Sequence, residues 1–257
     1  MPDEQGVLDL RTSSVHTTEI EILPQEVIAC KQCPRLLRYC RKVAREKRRR
    51  FQDEEYWGRP VPSFGDPRAK LLIVGLAPGA HGSNRTGRMF TGDRSGEFLY
   101  RVLYDAGFAN QPESCSADDG LKLRGCYITA VVRCAPPQNK PRPQELRNCQ
   151  PYLERELALL NRVRAVLALG RIAFDTFLRI ILQPHAGLRR QELEVFPPRA
   201  SLRFAHGASY QLPGGLPRLF ASYHPSQQNT QTGRLTPKMF RQVLEDIRKF
   251  LAAGNPR

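Results

Sequence analysis

The sequence has no apolar run long enough to cross a membrane and no secretory signal pattern. It also lacks the Gly-Lys-Ser/Thr ending of a phosphate-binding loop, and its glycine-rich loop does not have the dinucleotide-binding spacing. These absences exclude a membrane-spanning protein and argue against a nucleotide-dependent enzyme. A soluble, cytoplasmic protein is expected, and 257 residues are enough to bury a full hydrophobic core.

Acidic residues are too few to balance the basic ones, since 25 Asp and Glu accompany 40 Lys and Arg and leave a net charge of +15. Such a charge is typical of proteins that neutralise nucleic-acid phosphates. A solvated basic surface would also explain the charge. The clustering weighs against that explanation, because seven of the ten residues from 41 to 50 are Lys or Arg.

Four of the seven cysteines form a split pattern, in which Cys30 and Cys33 are followed about a hundred residues later by Cys134 and Cys149. The other three make no comparable pair. An odd number of cysteines without an export signal favours metal binding over disulfides. Four thiolates arranged in this way hold zinc or an iron-sulfur cluster, and the spacing does not distinguish the two.

Short apolar runs alternate with helical patterns along the chain. The runs lie at 71–74, 127–132, 165–169 and 219–222, and the helical patterns at about 95–106, 143–160, 171–182 and 236–252. This alternation predicts an α/β fold with a parallel sheet covered on both faces. We expect a flexible arm over residues 1–24, a single domain over 25–257, and a long insertion over 183–215.

Ligands of parallel sheets bind beyond the carboxyl ends of the strands, which directs attention to the loops starting at residues 75, 133, 170 and 223. The first loop, 75–93, is longer than an ordinary crossover and contains five glycines. The last carries His224, followed by six polar residues. A lone histidine is more often structural than catalytic, but this position makes His224 a stronger candidate.

Three segments in order, 75–79, 131–137 and 224–226, resemble motifs of the iron-sulfur members of the uracil-DNA glycosylase superfamily. They read Gly-Leu-Ala-Pro-Gly, Val-Val-Arg-Cys-Ala-Pro-Pro and His-Pro-Ser. The stretches 80–87 and 227–236 are similar to the family 5 branch, and the resemblance covers about residues 25–252. It implies a three-layer α/β/α fold with a central four-stranded parallel sheet. It also implies a structural 4Fe-4S cluster on Cys30, Cys33, Cys134 and Cys149.

The resemblance further implies a monofunctional DNA glycosylase that flips uracil out of the helix and hydrolyses its bond to the sugar. Phe90 would stack on the base, and His224 would stabilise the charge that develops on it. Asp93, with Asn139, would activate water and stabilise the cationic sugar. An N-cap of the following helix is the alternative role for Asp93. No lysine is placed for Schiff-base attack, so hydrolysis without strand nicking is expected.

Two further sets of residues follow from the resemblance. The base pocket would contain Gly75, Ala77, Gly79, Ala80, His81, Asn84, Phe90 and Ala130. The DNA contacts would come from Arg41, Arg45, Lys47, Arg48, Gln228, Asn229 and Arg234, of which Gln228 or Arg234 would fill the gap left by the flipped base. Nothing in the sequence chooses between these two.

The sequence departs from the related family 4 at two pocket positions. Leu76 replaces a glutamate, so water activation must come from elsewhere. Ala130 replaces an asparagine that reads the uracil edge, so we expect a less selective pocket that also accepts hypoxanthine and xanthine. The rival interpretation is a non-catalytic DNA-binding protein with a structural zinc ion held by the four paired cysteines. In either case a monomer that binds DNA and no membrane is expected.

Overall fold

A computed structural model of the protein describes residues 19–182 and 196–254. Within these ranges six strands form one sheet in the order β1-β3-β2-β4-β6-β5. They are β1 (Phe64–Gly65), β2 (Leu71–Gly75), β3 (Cys126–Ala130), β4 (Ala165–Leu169), β5 (Ser209–Tyr210) and β6 (Arg218–Ser222). The four central strands are parallel, and the two-residue strands β1 and β5 are antiparallel edges. The predicted four-stranded parallel sheet is therefore confirmed, with two short edge strands added.

Helices cover both faces of the sheet. They are α1 (19–29), α2 (Pro34–Glu46), α3 (Ser83–Thr86), α4 (Arg94–Asp105), α5 (Pro143–Leu159), α6 (Arg171–Ile181), α7 (Gln227–Gln231) and α8 (Pro237–Ala252). Side chains alternate across the sheet, so Leu72 and Val74 of β2 face one core while Leu71 and Ile73 face the other. The first core lies under α1, α2, α5 and α6, and the second under α4 and α8. This arrangement confirms the three-layer α/β/α fold.

Helix starts follow local sequence signals. Asp93 caps α4 by accepting a hydrogen bond from the Gly96 amide, and Thr236 caps α8 by accepting one from the Met239 amide. Pro143 and Pro237 stand at the first helical positions, where the missing N–H costs no hydrogen bond. These signals explain why the predicted helical segments begin close to their observed starts.

Two predicted boundaries fall partly outside the described residues. Residues 1–18 of the expected arm lie outside them, whereas 19–24 belong to α1, where Ile20 and Leu23 are buried. Residues 183–195 of the expected insertion also lie outside them, and its later part contributes β5. No helix within the described ranges is both long and apolar enough to cross a membrane.

Candidate active site at the carboxyl ends of the strands

A cavity of about 660 Å³ opens where β2, β3 and β6 end. Its lining comes from within segments 76–83, 89–95, 136–139 and 224–228, together with Tyr39, Arg48 and Arg50. The three loops after these strands therefore meet at one place, as expected for a parallel sheet. Phe90, Asp93, Asn139 and His224 all line this cavity.

Phe90 forms the aromatic wall of the cavity. Its backbone has a φ of +53°, a conformation that is uncommon for a bulky residue and is typical of functional sites. The ring lies directly against Gly75 at the end of β2, because a Cβ placed on Gly75 would approach Phe90 Cε2 to 2.8 Å. Gly75 therefore positions the aromatic ring and does not itself line the cavity.

His224 stacks on Phe90 with a distance of 5.6 Å between ring centroids and an angle of 28° between ring planes. Burial lowers the pKa of His224 to about 4, so the imidazole is neutral at neutral pH. The turn that carries it is held by Asn229, whose Nδ2 donates a hydrogen bond to the His224 carbonyl at 2.9 Å. A neutral, fixed imidazole can donate one hydrogen bond into the cavity without carrying charge.

Asp93 lies at the start of α4 and points one oxygen into the helix. Its Oδ1 accepts the Gly96 amide at 3.0 Å, which confirms the capping contact. Its Oδ2 lies against the α-carbons of Gly79 and Gly82, where an added Cβ would come within 2.5 Å and 2.0 Å of it. Burial raises the pKa of Asp93, while backbone hydrogen bonds from Gly96 and Ser95 oppose that shift.

The predicted base-pocket residues divide into two groups. Ala77, Gly79, Ala80 and His81 line the cavity together with Phe90. Gly75, Asn84 and Ala130 do not. Ala130 is the register partner of Gly75 on the neighbouring strand β3, and it is buried.

Asn84 is fully buried and its amide nitrogen donates to the carbonyls of Cys40 and Ala80, each at 3.3 Å. It therefore joins the first loop to α2 and does not reach a base. His81 is held from the other side, since its Nδ1 lies 3.1 Å from the Tyr56 hydroxyl. Burial, with the positive charge of nearby arginines, lowers the pKa of His81.

The predicted DNA-contact residues divide among the cavity mouth, a groove on α2 and contacts within the protein. Arg48 and Gln228 line the cavity mouth, whereas Arg41 and Arg45 line a separate groove on the outer face of α2. Three others are engaged within the protein: Lys47 Nζ donates to the Gln52 carbonyl at 2.9 Å, Asn229 donates to His224, and the Arg234 guanidinium lies 4.6 Å from the Tyr223 ring centroid.

All seven cysteines are free. Cys33, Cys134 and Cys149 are buried and Cys30 is partly exposed. The Cys40 thiol and burial raise the pKa of the Cys134 thiol, and the nearby thiols of Cys149 and Cys30 add to that rise. Burial raises the pKa of Cys149, and the nearby thiols of Cys33 and Cys30 add to it. The structure therefore brings the two halves of the split pattern together.

The same region holds a feature that the sequence pattern missed. The Cys40 thiol is in hydrogen-bond contact with Cys134 and with the Ala135 carbonyl. In the described part of the chain, no three His, Cys, Asp or Glu side chains are placed to hold a single metal ion.

Sequence reasoning also missed several residues of the cavity mouth: Tyr39, Arg50, Arg94 and Gln227. Arg50 ends the basic run and Gln227 adjoins Gln228, so both had a local signal. Tyr39 had none, because only the packing of α2 turns it toward the sheet.

A larger cleft of about 1300 Å³ lies beside the cavity, between α4 and the segments 50–55 and 112–118. Its lining includes Glu54, Glu55, Glu97, Asp105, Glu113 and Asp118. Five arginines line it as well, so its charges nearly balance: Arg50, Arg85, Arg94, Arg101 and Arg241. Phe90, Asp93, Asn139 and His224 are not part of its lining. The smaller cavity at the strand ends is therefore the candidate active site.

Comparison with known proteins agrees with this geometry. A family profile described as "Uracil DNA glycosylase superfamily" matches residues 62–248. The chain is 53% identical to the type-5 uracil-DNA glycosylase of Thermus thermophilus over 90% of this chain and 97% of that protein. It is 49% identical to the type-5 uracil-DNA glycosylase of Mycobacterium leprae, over 89% and 94% of the two chains.

More distant relatives belong to another type. The type-4 uracil-DNA glycosylase of Sulfurisphaera tokodaii is 29% identical over 59% of this chain and 54% of that protein. The identity and coverage are thus higher with the type-5 proteins, in agreement with the resemblance of segments 80–87 and 227–236. The chain belongs to the uracil-DNA glycosylase superfamily, within its type-5 group.

Proposed function

We propose that this protein is a monofunctional DNA glycosylase that flips uracil out of DNA and hydrolyses its N-glycosidic bond. The observation that carries the proposal is the cavity at the strand ends, in which an aromatic ring, a neutral imidazole and a carboxylate face one space. A base must be stacked, assisted in leaving and replaced by water, and these three groups supply those actions.

The offset between Phe90 and His224 indicates where the base lies. Ring centroids 5.6 Å apart, with rings in contact at about 3.5 Å, imply a lateral offset of about 4 Å. His224 therefore covers only part of the Phe90 face. A base stacked on the open part lies beside His224, whose N–H can donate to the carbonyl oxygen that becomes negative as the bond breaks.

Asp93 can combine capping with catalysis because its two oxygens have different surroundings. Oδ1 accepts the Gly96 amide at the start of the helix, whereas Oδ2 lies against the α-carbons of two glycines that line the cavity. Oδ2 can accept a proton from the attacking water and stabilise the positive sugar. Asn139, exposed at the cavity edge, supplies an amide that can orient the same water.

We propose that hypoxanthine and xanthine are further substrates. Ala130 offers no amide to the edge of the base, and it is buried beside Gly75 without lining the cavity. A site that places no paired polar groups against the edge of the base discriminates weakly between bases whose edges differ. The gap left by the flipped base is assigned to Gln228, since it lines the cavity mouth while Arg234 packs on Tyr223.

We also propose a 4Fe-4S cluster held by Cys30, Cys33, Cys134 and Cys149. Four free thiols from two distant parts of the chain are the usual donor set of such a cluster. The proximity of the Cys30 thiol to Cys134 and Cys149 supports this set. When bound, the cluster supplies structural cross-linking. Cys30 and Cys33 would anchor the α1–α2 segment to the loop after β3 and to α5.

The glycosylase proposal is tested with end-labelled duplexes that carry one uracil, hypoxanthine or xanthine at the same position. Excess enzyme should produce abasic sites that break only after alkali, and a matched duplex with thymine should stay intact. Uracil duplexes that resist alkali after incubation at low salt would reject the function. A covalent adduct trapped by borohydride would reject the monofunctional mechanism.

The cofactor is tested on the purified protein. A cluster predicts a brown preparation with broad visible absorption and bound iron. A colourless preparation that contains zinc would support the rival structural-zinc interpretation for the cysteines.

A further inference from the structure

The outer face of α2 carries a row of cations that the cavity does not use. Arg38, Arg41, Lys42 and Arg45 follow one another at helical spacing, opposite the buried face of the helix. With Trp57 and Arg59 they line a groove of about 750 Å³. We call these six residues the α2 groove. No carboxylate lines it within the described part of the chain.

Most of these charges have no partner within the protein. Lys42 Nζ lies 3.7 Å from Glu46 Oε1, one turn along the helix, and both side chains of this pair are exposed. No ion pair or side-chain hydrogen bond within the part of the chain that the structure describes involves Arg38, Arg41, Arg45 or Arg59. Unpaired guanidinium groups gathered in one groove produce a positive potential that attracts an anionic partner.

The floor of the groove is fixed. The Trp57 and Gly58 amides donate to the carbonyls of Arg85 and Asn84 at 2.8 Å and 3.0 Å. Trp57 Nε1 donates to the Pro60 carbonyl at 3.0 Å, and the Arg59 guanidinium lies 4.1 Å from the Trp57 ring centroid. Arg59 is thereby held in place by cation–π attraction, so the groove is organised before a ligand arrives.

The dimensions of the groove match a nucleic-acid strand. Arg38 and Arg45 are seven residues apart, about 10 Å along the helix. One strand of duplex DNA places a phosphate every ~3.4 Å along its axis, so the row spans about three phosphates. Directly after α2, the turn at Lys47 leads to Arg48 and Arg50, which line the cavity mouth. The groove and the cavity are therefore adjacent along one cationic path.

We infer that the α2 groove is a second DNA-contact surface, which holds the sugar-phosphate backbone of the duplex that flanks the flipped nucleotide. The inference rests on the proposed function for the identity of the nucleic acid. The groove contacts phosphates and not base edges, so it binds DNA with or without a lesion. The cavity then acts on the nucleotide next to a backbone that is already held.

The test measures the dissociation constant for an undamaged duplex as a function of salt. The triple variant Arg38→Gln, Arg41→Gln, Arg45→Gln removes three cations. The salt slope is the decrease in the logarithm of the binding constant per unit increase in the logarithm of the salt concentration. For the variant it should be smaller than for the wild type by about 2.7, since each phosphate contact contributes about 0.9. The affinity ratio of wild type to variant should thus fall about 40-fold between ~50 and ~200 mM salt. Arg59→Gln, which leaves α2 unchanged, should reduce the slope by about 1.

A matched control separates local contact from net charge. Arg68 and Arg162 are exposed and precede β2 and β4, and Lys249 is exposed in the last turn of α8. All three therefore lie near the amino ends of the strands, away from the cavity at the carboxyl ends. Replacing them with Gln removes the same total charge and should leave the salt slope unchanged. Equal slopes for the groove variant and the wild type would overturn the inference.

A second measurement locates the strand. Shortening the duplex on the flank that reaches the groove should weaken DNA binding by the wild type. It should weaken binding by the triple variant less, because the shorter duplex and the three substitutions remove the same contacts. Equal losses in both proteins for both flanks would contradict the assignment. Binding to undamaged DNA requires no excision, so a protein that shows the groove effect but removes no uracil would reject only the proposed function.

Discussion

Asp93 shows how one side chain can serve the fold and the chemistry together. Oδ1 satisfies the first turn of α4, and Oδ2 faces glycine α-carbons at the cavity. Any side chain at Gly79 or Gly82 would occupy the place of that oxygen. Two glycines of the first loop are thus explained by the close approach of one carboxylate.

Replacing Asp93 with Asn should separate its two roles. Asn keeps an oxygen that caps the helix but cannot accept a proton from water, so the single-turnover excision rate should fall by about 10²–10⁴-fold. Stability in urea should be retained, because the cap remains and a buried charge is removed. Asp93→Ala should lose the rate and also about 1 kcal/mol of unfolding free energy.

The pH profile provides a check on the same residue. Burial raises the pKa of Asp93, so the acid limb of the wild-type rate should lie above the ordinary aspartate range. Asp93→Asn should lack that limb. A wild-type rate in Asp93→Asn would leave the residue with its capping role alone.

His224 should make the protein sensitive to mild acid. Its folded pKa of about 4 lies below the ordinary value of 6.5, so the unfolded chain binds a proton that the folded chain refuses. The free energy of unfolding contributed by this residue is therefore lost as pH falls from about 6.5 to about 4. His224→Gln should flatten the dependence measured by urea unfolding across this window.

In His224→Gln, the remaining dependence of the unfolding free energy on pH should come from residues that include His81 and His206, whose pKa values are also lowered by burial. The same variant should also change the reaction rate. Excision should slow by about 10²–10³-fold at neutral pH, the effect of removing one preorganised donor. An unaltered slope of unfolding free energy against pH would refute the neutral imidazole.

At the scale of elements, a buried ion pair joins β3 to α5. Arg133 follows β3, and its Nη2 lies 2.6 Å from Glu156 Oε2 in α5. Glu156 also accepts hydrogen bonds from Ser63 at 2.5 Å and Thr129 at 2.7 Å. The Arg133 amide donates to Cys149 Sγ at 3.5 Å, so the pair fixes the two segments that carry Cys134 and Cys149.

Glu156→Gln should destabilise the protein by about 3–5 kcal/mol, because it leaves the Arg133 charge buried without its counter-charge. The change is measured by urea unfolding. Glu154→Gln, two residues earlier on the same helix, is the matched control, since Glu154 is only partly buried and accepts from Gln150. A loss below about 1 kcal/mol in Glu156→Gln would indicate that the pair is not strongly coupled.

At the scale of the whole molecule, the cysteines connect distant parts of the chain. Cys30 and Cys33 bracket the junction of α1 and α2, while Cys134 follows β3 and Cys149 lies in α5. The α2 helix carries Tyr39 at the cavity and the cations of the α2 groove on its outer face. The proposed cluster would therefore hold the DNA-contact helix in its position relative to the cavity.

Cys30→Ser should lower the bound iron and the visible absorption and should reduce the melting temperature, because the α1–α2 segment loses its cross-link. Cys115→Ser should match the wild type in all three, since Cys115 is exposed and is not part of the split pattern. Cys40→Ala tests the additional buried thiol beside Cys134, and we expect it to retain iron. Wild-type iron content in Cys30→Ser would remove Cys30 from the ligand set.

The order of strands and helices could be predicted from the sequence because periodicity and capping are local properties. The runs at 71–74 and 165–169 and the Asp93 cap depend only on neighbouring residues. The loops of the site could be selected for a related reason, since parallel strands bring their carboxyl ends to one edge. Which side chains of those loops face the cavity could not be selected in this way.

The sequence by itself determined the α/β alternation, the superfamily motifs and the loops that carry Phe90, Asp93, Asn139 and His224. The tertiary structure alone decided that Asn84 and Ala130 do not line the cavity, that Arg41 and Arg45 belong to a separate groove, and that Cys40 contacts Cys134. The physical reason is that side-chain direction and contacts between distant residues depend on how helices pack on the sheet, which no local pattern encodes.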